Sequence, residues 1–184
     1  MSDLGVLRRF DLSNRVMIIT GGAGLLGKSY AQTLSAAGAH VVVADLDGES
    51  ADQLAKTVTE ASGVDALGIE THVSKPEAVK AMAGAVMEHF GHIEVLMNNA
   101  ALDPKFDAEH TGEHTNRFED FPFSAWQEAL AVNVTGMFLC AQAVAPAMLE
   151  AGRVVIANVS STKAWRGRIS NSTNGKASRR STSW

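Results

Sequence analysis

Short unbroken apolar runs alternate along the chain with longer stretches in which apolar residues return every three or four positions. Val16 to Thr20 (VMIIT) is a run of the first kind and ends in glycines; without polar alternation it predicts a strand buried on both faces. A helix is expected from Leu25 to about Ala37, stopped by Gly38. The pattern then repeats. His40 to Ala44 (HVVVA) reads as a second strand, Glu49 to Ala61 as a helix, Ala66 to Val73 as a third strand, and Pro76 to Phe90 as a helix opening on proline and closed by Gly91. Ile93 to Met97 (IEVLM) is the expected fourth strand, Ser124 to about Glu150 a long apolar-rich helix with Ser124 as N-cap, and Arg153 to Val159 (RVVIANV) the fifth strand.

Strands alternating with helices of this length imply βαβ units, hence an α/β fold with a doubly wound parallel sheet and right-handed crossovers. The polar stretch Leu102 to Phe123 has no clear period and is too long for an ordinary βα connection; such loops are often lids or insertions. After Thr162 the alternation stops: Lys163 to Trp184 hold seven Ser/Thr, two of the three Trp and a single β-branched aliphatic, Ile169. Three parts are therefore expected: an N-terminal extension over 1–13, an α/β domain over 14–162, and a basic tail over 163–184 with no packed core.

Composition narrows the class. With 184 residues, 46% of them hydrophobic and 20% charged, one globular domain is expected. The single cysteine, Cys140, excludes a disulfide scaffold and a cysteine-pair zinc site. No uninterrupted run of about 18 apolar residues and no signal-peptide core occur, so a cytoplasmic protein without membrane span is expected. The net charge of −4 hides an asymmetry, −10 over residues 1 to 162 and +6 from Lys163 to Trp184. A basic end of that kind can meet nucleic acid or anionic surfaces electrostatically, although no nucleic-acid partner is expected for the domain itself.

Candidate chemistry begins at Thr20-Gly21-Gly22-Ala23-Gly24-Leu25-Leu26-Gly27, between the first strand and its helix. Glycines there permit a tight turn and close approach of backbone to a pyrophosphate, and the helix start supplies free N–H donors. Asp45 closes the second strand, one βαβ spacing beyond Gly21, where a carboxylate can accept from an adenosine ribose 2′-hydroxyl and repel a 2′-phosphate. That favours NAD, with NADP the less fitting cofactor. The same segment, Gly22 to Ser29, also fits the P-loop pattern G-x-x-x-x-G-K-[ST], which would set Lys28 on a phosphate of a hydrolysed nucleotide. A third reading has the glycines only making a tight turn.

Together with Asn98-Asn99-Ala100-Ala101 after strand four, Asn133 in the long helix and Asn158-Val159-Ser160-Ser161 after strand five, these motifs resemble the short-chain dehydrogenase/reductase family over residues 14 to 162. The resemblance implies a Rossmann-type sheet whose C-terminal strands are missing here, an NAD(H) cofactor, a small-molecule alcohol or ketone substrate, and homo-oligomers in full-length members. It implies cofactor contacts at Gly21, Gly24, Leu26, Gly27, Asp45, Val73, Asn99 and Ala100. Asn98 would brace the sheet, Asn133 would hold an active-site water, and Ser161 would hydrogen-bond the substrate oxygen. From the residues alone, Asn133 is equally a hydrogen-bonded core amide and Ser161 a capping hydroxyl.

Two departures matter. The resemblance places a tyrosine at positions 172 to 174, or further on after an insertion, followed four later by lysine, as general acid/base and its partner; the only tyrosine is Tyr30, in the first helix. Ser172 has Lys176 four positions on, but a serine hydroxyl has far too high a pKa to replace a phenol. His72 stands where the family commonly has an aspartate touching the adenine amino group. An enzyme crippled at the acid/base step and an inactive NAD-binding fragment are accordingly the two expectations within the family, with a P-loop hydrolase outside it. The change at Thr162 further suggests that residues from about Lys163 are translated out of frame.

Weaker signals are dismissed on physical grounds. His110-Thr111-Gly112-Glu113-His114 fits H-x-x-E-H, but Gly112 in an aperiodic loop argues against the helical face a metal would need. No metal is expected. Cys140, among apolar helix residues, reads as a small buried hydrophobe.

Overall fold

Five strands, β1 (Val16–Thr20), β2 (His40–Asp45), β3 (Ala66–Glu70), β4 (Val95–Asn98) and β5 (Val155–Asn158), lie in the order β3-β2-β1-β4-β5. Every neighbouring pair is parallel, with Val16 beside His40, Met17 beside Val95, Val41 beside Ala66 and Val95 beside Val155. The structure, a computed structural model, describes residues 10–103 and 121–160. Four helices connect the strands: α1 (Leu25–Ala36), α2 (Gly48–Ser62), α3 (Pro76–Phe90) and α4 (Phe123–Glu150). This is the doubly wound sheet that the alternation predicts.

Why the runs are unbroken follows from the two-sided burial. Successive strand residues face opposite sides of a sheet. Val16, Ile18, Val42, Ala44 and Leu96 pack on one side with Val79, Met82 and Val86 of α3 and Cys140, Val144 and Met148 of α4. Ile19, Val41 and Val43 pack on the other with Ala31 of α1 and Ala51, Leu54 and Val58 of α2. Each large side chain of this kind is worth about 1.5–3 kcal/mol on full burial, so a polar residue at any of these positions would disrupt the closure of its layer. Leu12 joins a third, smaller cluster with Met17, Ala39 and Val95, and its N–H donates to the Ala37 carbonyl at 2.9 Å.

Element ends differ from expectation at instructive places. β3 stops at Glu70 rather than Val73. Thr71 still donates its N–H to the Asp45 carbonyl at 2.6 Å, and the chain then turns, with Lys75 N–H on the His72 carbonyl, so the buried Val73 packs from a loop. β4 spans Val95–Asn98, later than Ile93 to Met97, and β5 is shorter than Arg153 to Val159. The long helix begins at Phe123 with Pro122 at the cap, so Ser124 lies inside its first turn rather than at the N-cap. By length and composition this 28-residue helix could cross a membrane, a property the search for uninterrupted apolar runs does not detect; here its buried face lies on the sheet and α3.

At the opposite ends of the strands, the Glu94 carboxylate is buried and accepts the Val16 N–H at 2.8 Å while meeting His92 Nδ1 at 2.8 Å. Glu94→Ala would strand that fully buried N–H, and the expected loss of stability is about 2 kcal/mol by urea denaturation; an unchanged midpoint would show that water replaces the carboxylate. Burial pushes the Cys140 thiol up to about 11, which keeps it neutral and inert in the folded chain.

Candidate functional site

The β1–α1 turn is built on contacts only glycine allows. Gly21 has a φ of +61°, and a Cβ there would stand 2.7 Å from the Ala100 Cα. A Cβ on Gly27 would overlap the carbonyl oxygens of Gly21 and Gly22, so the first turn of α1 sits directly on the strand end. Gly24 occupies the N-cap without a side chain to bond the helix start, and Leu25 and Leu26 are exposed. The first-turn N–H groups are thus open to a ligand, with the positive end of the helix dipole behind them. An open helix start beside a glycine turn can receive an anionic group.

Asp45, half-buried at the end of β2, is wired into that turn. Its Oδ2 accepts the Ala23 N–H at 2.9 Å and its Oδ1 the Asp47 N–H at 3.2 Å. Asp47 in turn caps α2, accepting from the Ser50 N–H at 3.0 Å and the Ser50 hydroxyl at 2.7 Å. Those two Ser50 bonds hold the Asp47 carboxyl below its ordinary 3.8. A depressed folded value means that the cap contributes fully above 3.8 and is lost as acidification passes through the folded value. Beyond Asp45 lies the 71–74 loop, where His72 Nδ1 and Ser74 Oγ are 3.0 Å apart and Val73 is buried.

On the other side of β1 a clamp joins the turn to β4. The buried Thr20 Oγ1 accepts the N–H groups of Asn99 (3.0 Å) and Ala100 (3.1 Å). Asn99 Nδ2 donates back to the carbonyls of Thr20 (3.1 Å) and Gly21 (3.0 Å). Asn98 braces the next pair, donating from Nδ2 to Asn158 Oδ1 at 2.8 Å, and its carbonyl accepts the Val159 N–H at 2.9 Å. β1 is the strand with β2 on one side and β4 on the other, so Gly21, Asp45, Asn99 and Ala100 meet at the carboxyl ends where the winding reverses, the usual crevice for ligands in open α/β sheets. Thr20 opens the glycine motif in the sequence, but its role as a clamp is not legible there; the one signal for it is a polar residue closing an otherwise apolar strand.

Asn133 sits in a π-helical turn, Ala131–Thr135, inside α4, where the Gly136 N–H reaches the Ala131 carbonyl. Both ends of its amide engage one residue: Oδ1 accepts the Leu102 N–H at 2.8 Å and Nδ2 donates to the Leu102 carbonyl at 2.9 Å. The side chain therefore braces the segment after β4. The widened turn also seats Gly136 against Val73, whose Cγ2 would lie 3.0 Å from an added Cβ. π-turns inside α-helices recur at functional sites. Asn133→Ala removes both bonds, and an expected cost of about 1–2 kcal/mol in thermal or urea unfolding checks the brace; no change would mean that Leu102 is held by other contacts.

Lys28 and Ser29 are exposed within α1. The helix already begins at Leu25, so Gly27 and Lys28 lie inside it, whereas a P-loop needs its glycine-rich arc to run up to that lysine. Tyr30 packs with the core cluster of α1, α2 and the sheet, not at the strand ends. Among the described residues no group of three metal-ligating side chains occurs. Ser161, the His110 to His114 motif, Ser172, Lys176, the basic tail and positions 1–9 of the N-terminal extension lie outside the described residues.

The chain matches the family model of the short chain dehydrogenases over residues 15–175, a span that runs past Thr162. It is 33% identical over 162 residues to a D-threitol dehydrogenase of Mycolicibacterium smegmatis, covering 88% of this chain and 58% of that protein. It is 36% identical over 145 residues to the short chain dehydrogenase/reductase astE of Aspergillus oryzae, covering 79% and 52%. The fold superposes on a short-chain type dehydrogenase/reductase from Mycobacterium marinum with a TM-score of 0.78 at 30% identity, over 90% of this chain and 61% of that one. An NAD+-bound xylitol dehydrogenase superposes with a TM-score of 0.71 at 27% identity, over 85% and 56%. The chain spans a little over half the length of these relatives. Since the matched span encloses every strand of the sheet, the chain belongs to the short-chain dehydrogenase family.

Proposed function

We propose that residues 14–162 form a dinucleotide-binding domain that takes NAD in preference to NADP, and that the chemistry of the family, hydride transfer between an alcohol or carbonyl substrate and NAD(H), is incomplete in this chain. The observation that carries the binding half is the pairing of an uncapped α1 start with a carboxylate, Asp45, bonded to the same turn. The uncapped N–H groups fit a pyrophosphate, and Asp45 fits the hydroxyls of the adenosine ribose, while Gly21 and Ala100 pack against each other beside them. Leu26 and Gly27 line the cradle, with Val73 and His72 beyond Asp45 and Asn99 fixing the turn from below. NAD supplies a hydride acceptor when bound; the chain's part is to orient it and exclude water.

For the chemical half, Ser161 is the proposed donor to a substrate oxygen, and Asn133 positions the neighbouring loop. The tyrosine positions implied by the family fall within the matched span on Ser172, Thr173 and Asn174, and neither an aliphatic hydroxyl nor an amide titrates near neutral pH as a tuned phenol can. Substrates of the class would be small alcohols or ketones, and assembly through the long helix would follow the full-length pattern. Hydrogen–deuterium exchange with and without NAD tests the site. Added NAD is expected to slow exchange over 21–27 and 45–47 while leaving the far ends of the strands unchanged; protection elsewhere alone would refute the assignment.

A further inference from the structure

The π-turn of α4 touches both flanks of the crevice at the strand ends. On one flank Asn133, within the turn, holds the N–H and the carbonyl of Leu102, two residues beyond the Ala100 that packs on Gly21. On the other, Gly136, whose N–H closes the turn on the Ala131 carbonyl, is buried against Val73 of the 71–74 loop. That loop is tied in turn to Asp45. The Thr71 N–H donates to the Asp45 carbonyl at 2.6 Å, and the Asp45 carboxylate accepts the Ala23 N–H at 2.9 Å. We propose that Gly136 is a positioning residue for the nucleotide: lacking a side chain, it lets the 71–74 loop seat on α4 and so sets where the Asp45 flank stands relative to the glycine turn. The inference deepens the dinucleotide reading above and rests on it.

The contact leaves little room for a larger residue. A Cβ on Gly136 would stand 3.0 Å from Val73 Cγ2, 3.2 Å from its Cβ and 3.4 Å from its carbonyl oxygen, whereas carbon atoms pack best at about 3.5–4.0 Å. Val73 would have to retreat, and its side chain cannot do so alone. Valine is stiff about its one torsion, Val73 is buried in the cluster that holds Val42, Ala44 and Cys140, and its Cβ and carbonyl oxygen move only with the backbone. α4 is no freer to give way. Cys140, Val144 and Met148 anchor it in the same cluster, and Asn133 is bonded at both ends of its amide to Leu102. The displacement therefore passes to the loop backbone and, through the Thr71 N–H, to Asp45; close-packed interiors transmit strain of this kind. Alanine is a better helix former than glycine, so the cost of the substitution falls on the Val73 contact and not on α4 as a helix.

NADH titrations followed by nucleotide fluorescence, on the wild type, Gly136→Ala, Val73→Ala and the double variant, form a size-swap cycle. Gly136→Ala is expected to weaken NADH binding about tenfold. Val73→Ala removes two methyl groups from the contact, and adding Gly136→Ala to it is expected to change affinity by less than about twofold. Gly84→Ala, the same change in α3 with nothing within 4 Å of the added Cβ, is expected to leave affinity unchanged. Hydrogen–deuterium exchange without nucleotide reads the contact itself: residues 71–75 are expected to exchange faster in Gly136→Ala and to recover in the double variant. If Gly136→Ala folds poorly, Val73→Ile crowds the same contact from the loop side and is expected to weaken NADH binding likewise. Wild-type affinity or unchanged loop exchange in Gly136→Ala, or an equal loss in the Val73→Ala background, would overturn the role of Gly136 while NADH binding by the wild type still upheld the site. A folded wild-type chain that binds no NADH would overturn the dinucleotide reading and this role with it.

Discussion

Gly27→Val is expected to destabilise the chain by about 3 kcal/mol or more and to abolish measurable nucleotide binding. Overpacking of a close-packed site costs about 1–3 kcal/mol when side chains can yield. Here they cannot, because the added Cβ would meet the carbonyl oxygens of Gly21 and Gly22, which are backbone atoms of the turn itself. Either α1 lifts from the sheet, uncovering Ala31 and its neighbours in the core, or the turn is pushed toward Ala100, where Gly21 has no free space. Both routes dismantle the proposed pyrophosphate cradle, so binding and stability are expected to fall together. Gly84→Ala is the matching control. Nothing lies within 4 Å of a Cβ there, and in a helix interior alanine is favoured over glycine by about 0.8–1.0 kcal/mol. Urea midpoints of the two variants are expected to move in opposite directions. A Gly27→Val chain as stable as the wild type would mean that the turn is looser than the contacts require.

The second large effect is on turnover. On the proposed reading, with no phenol to act as general acid/base, the chain is expected to bind NADH yet to convert secondary alcohols at a rate lower by roughly 10²–10⁴ than a relative that carries one. Its single tyrosine, Tyr30, is half-buried on α1 and packs against the cluster that includes Ala51, Leu54 and Val58 of α2, whereas Asp45, Asn99 and Ala100 gather at the strand ends. Appearance of reduced nicotinamide by absorbance, with a panel of small polyols and cyclic alcohols, is the readout. Rapid NADH formation that disappears in Ser161→Ala would contradict the expectation and show that another group moves the proton.

The sheet is legible in the sequence because the inner strands β1 and β2 are buried on both faces, which turns VMIIT and HVVVAD into runs no surface element would tolerate. Asp45 and the glycines are legible because their chemistry is local and their spacing follows from one βαβ unit. What stays hidden depends on partners far along the chain. Val73, beyond the polar Glu70, Thr71 and His72, reads as the last residue of the third strand but packs from a loop against Gly136, so β3 ends before it. Ser124 has the side chain of an N-cap, yet Pro122 holds that position and the helix starts at Phe123. The π-turn gives five residues of an apolar helix no periodicity that distinguishes them from α. Nothing local to Asn133 reveals that its amide holds Leu102, a partner 31 residues away. The Thr20 clamp spans 79 residues to Asn99, and only the folded sheet brings the two together.

If the β1–α1 turn and Asp45 make this chain a nucleotide binder irrespective of turnover, a titration of the purified wild-type chain with NADH, with Asp45→Ala and NADPH in parallel, shows it most directly. Saturable binding to the wild type is predicted, weakened about tenfold or more by Asp45→Ala and weaker for NADPH. A folded wild-type chain that leaves NADH fluorescence unchanged, or binds it equally well without the Asp45 carboxylate, would contradict that prediction.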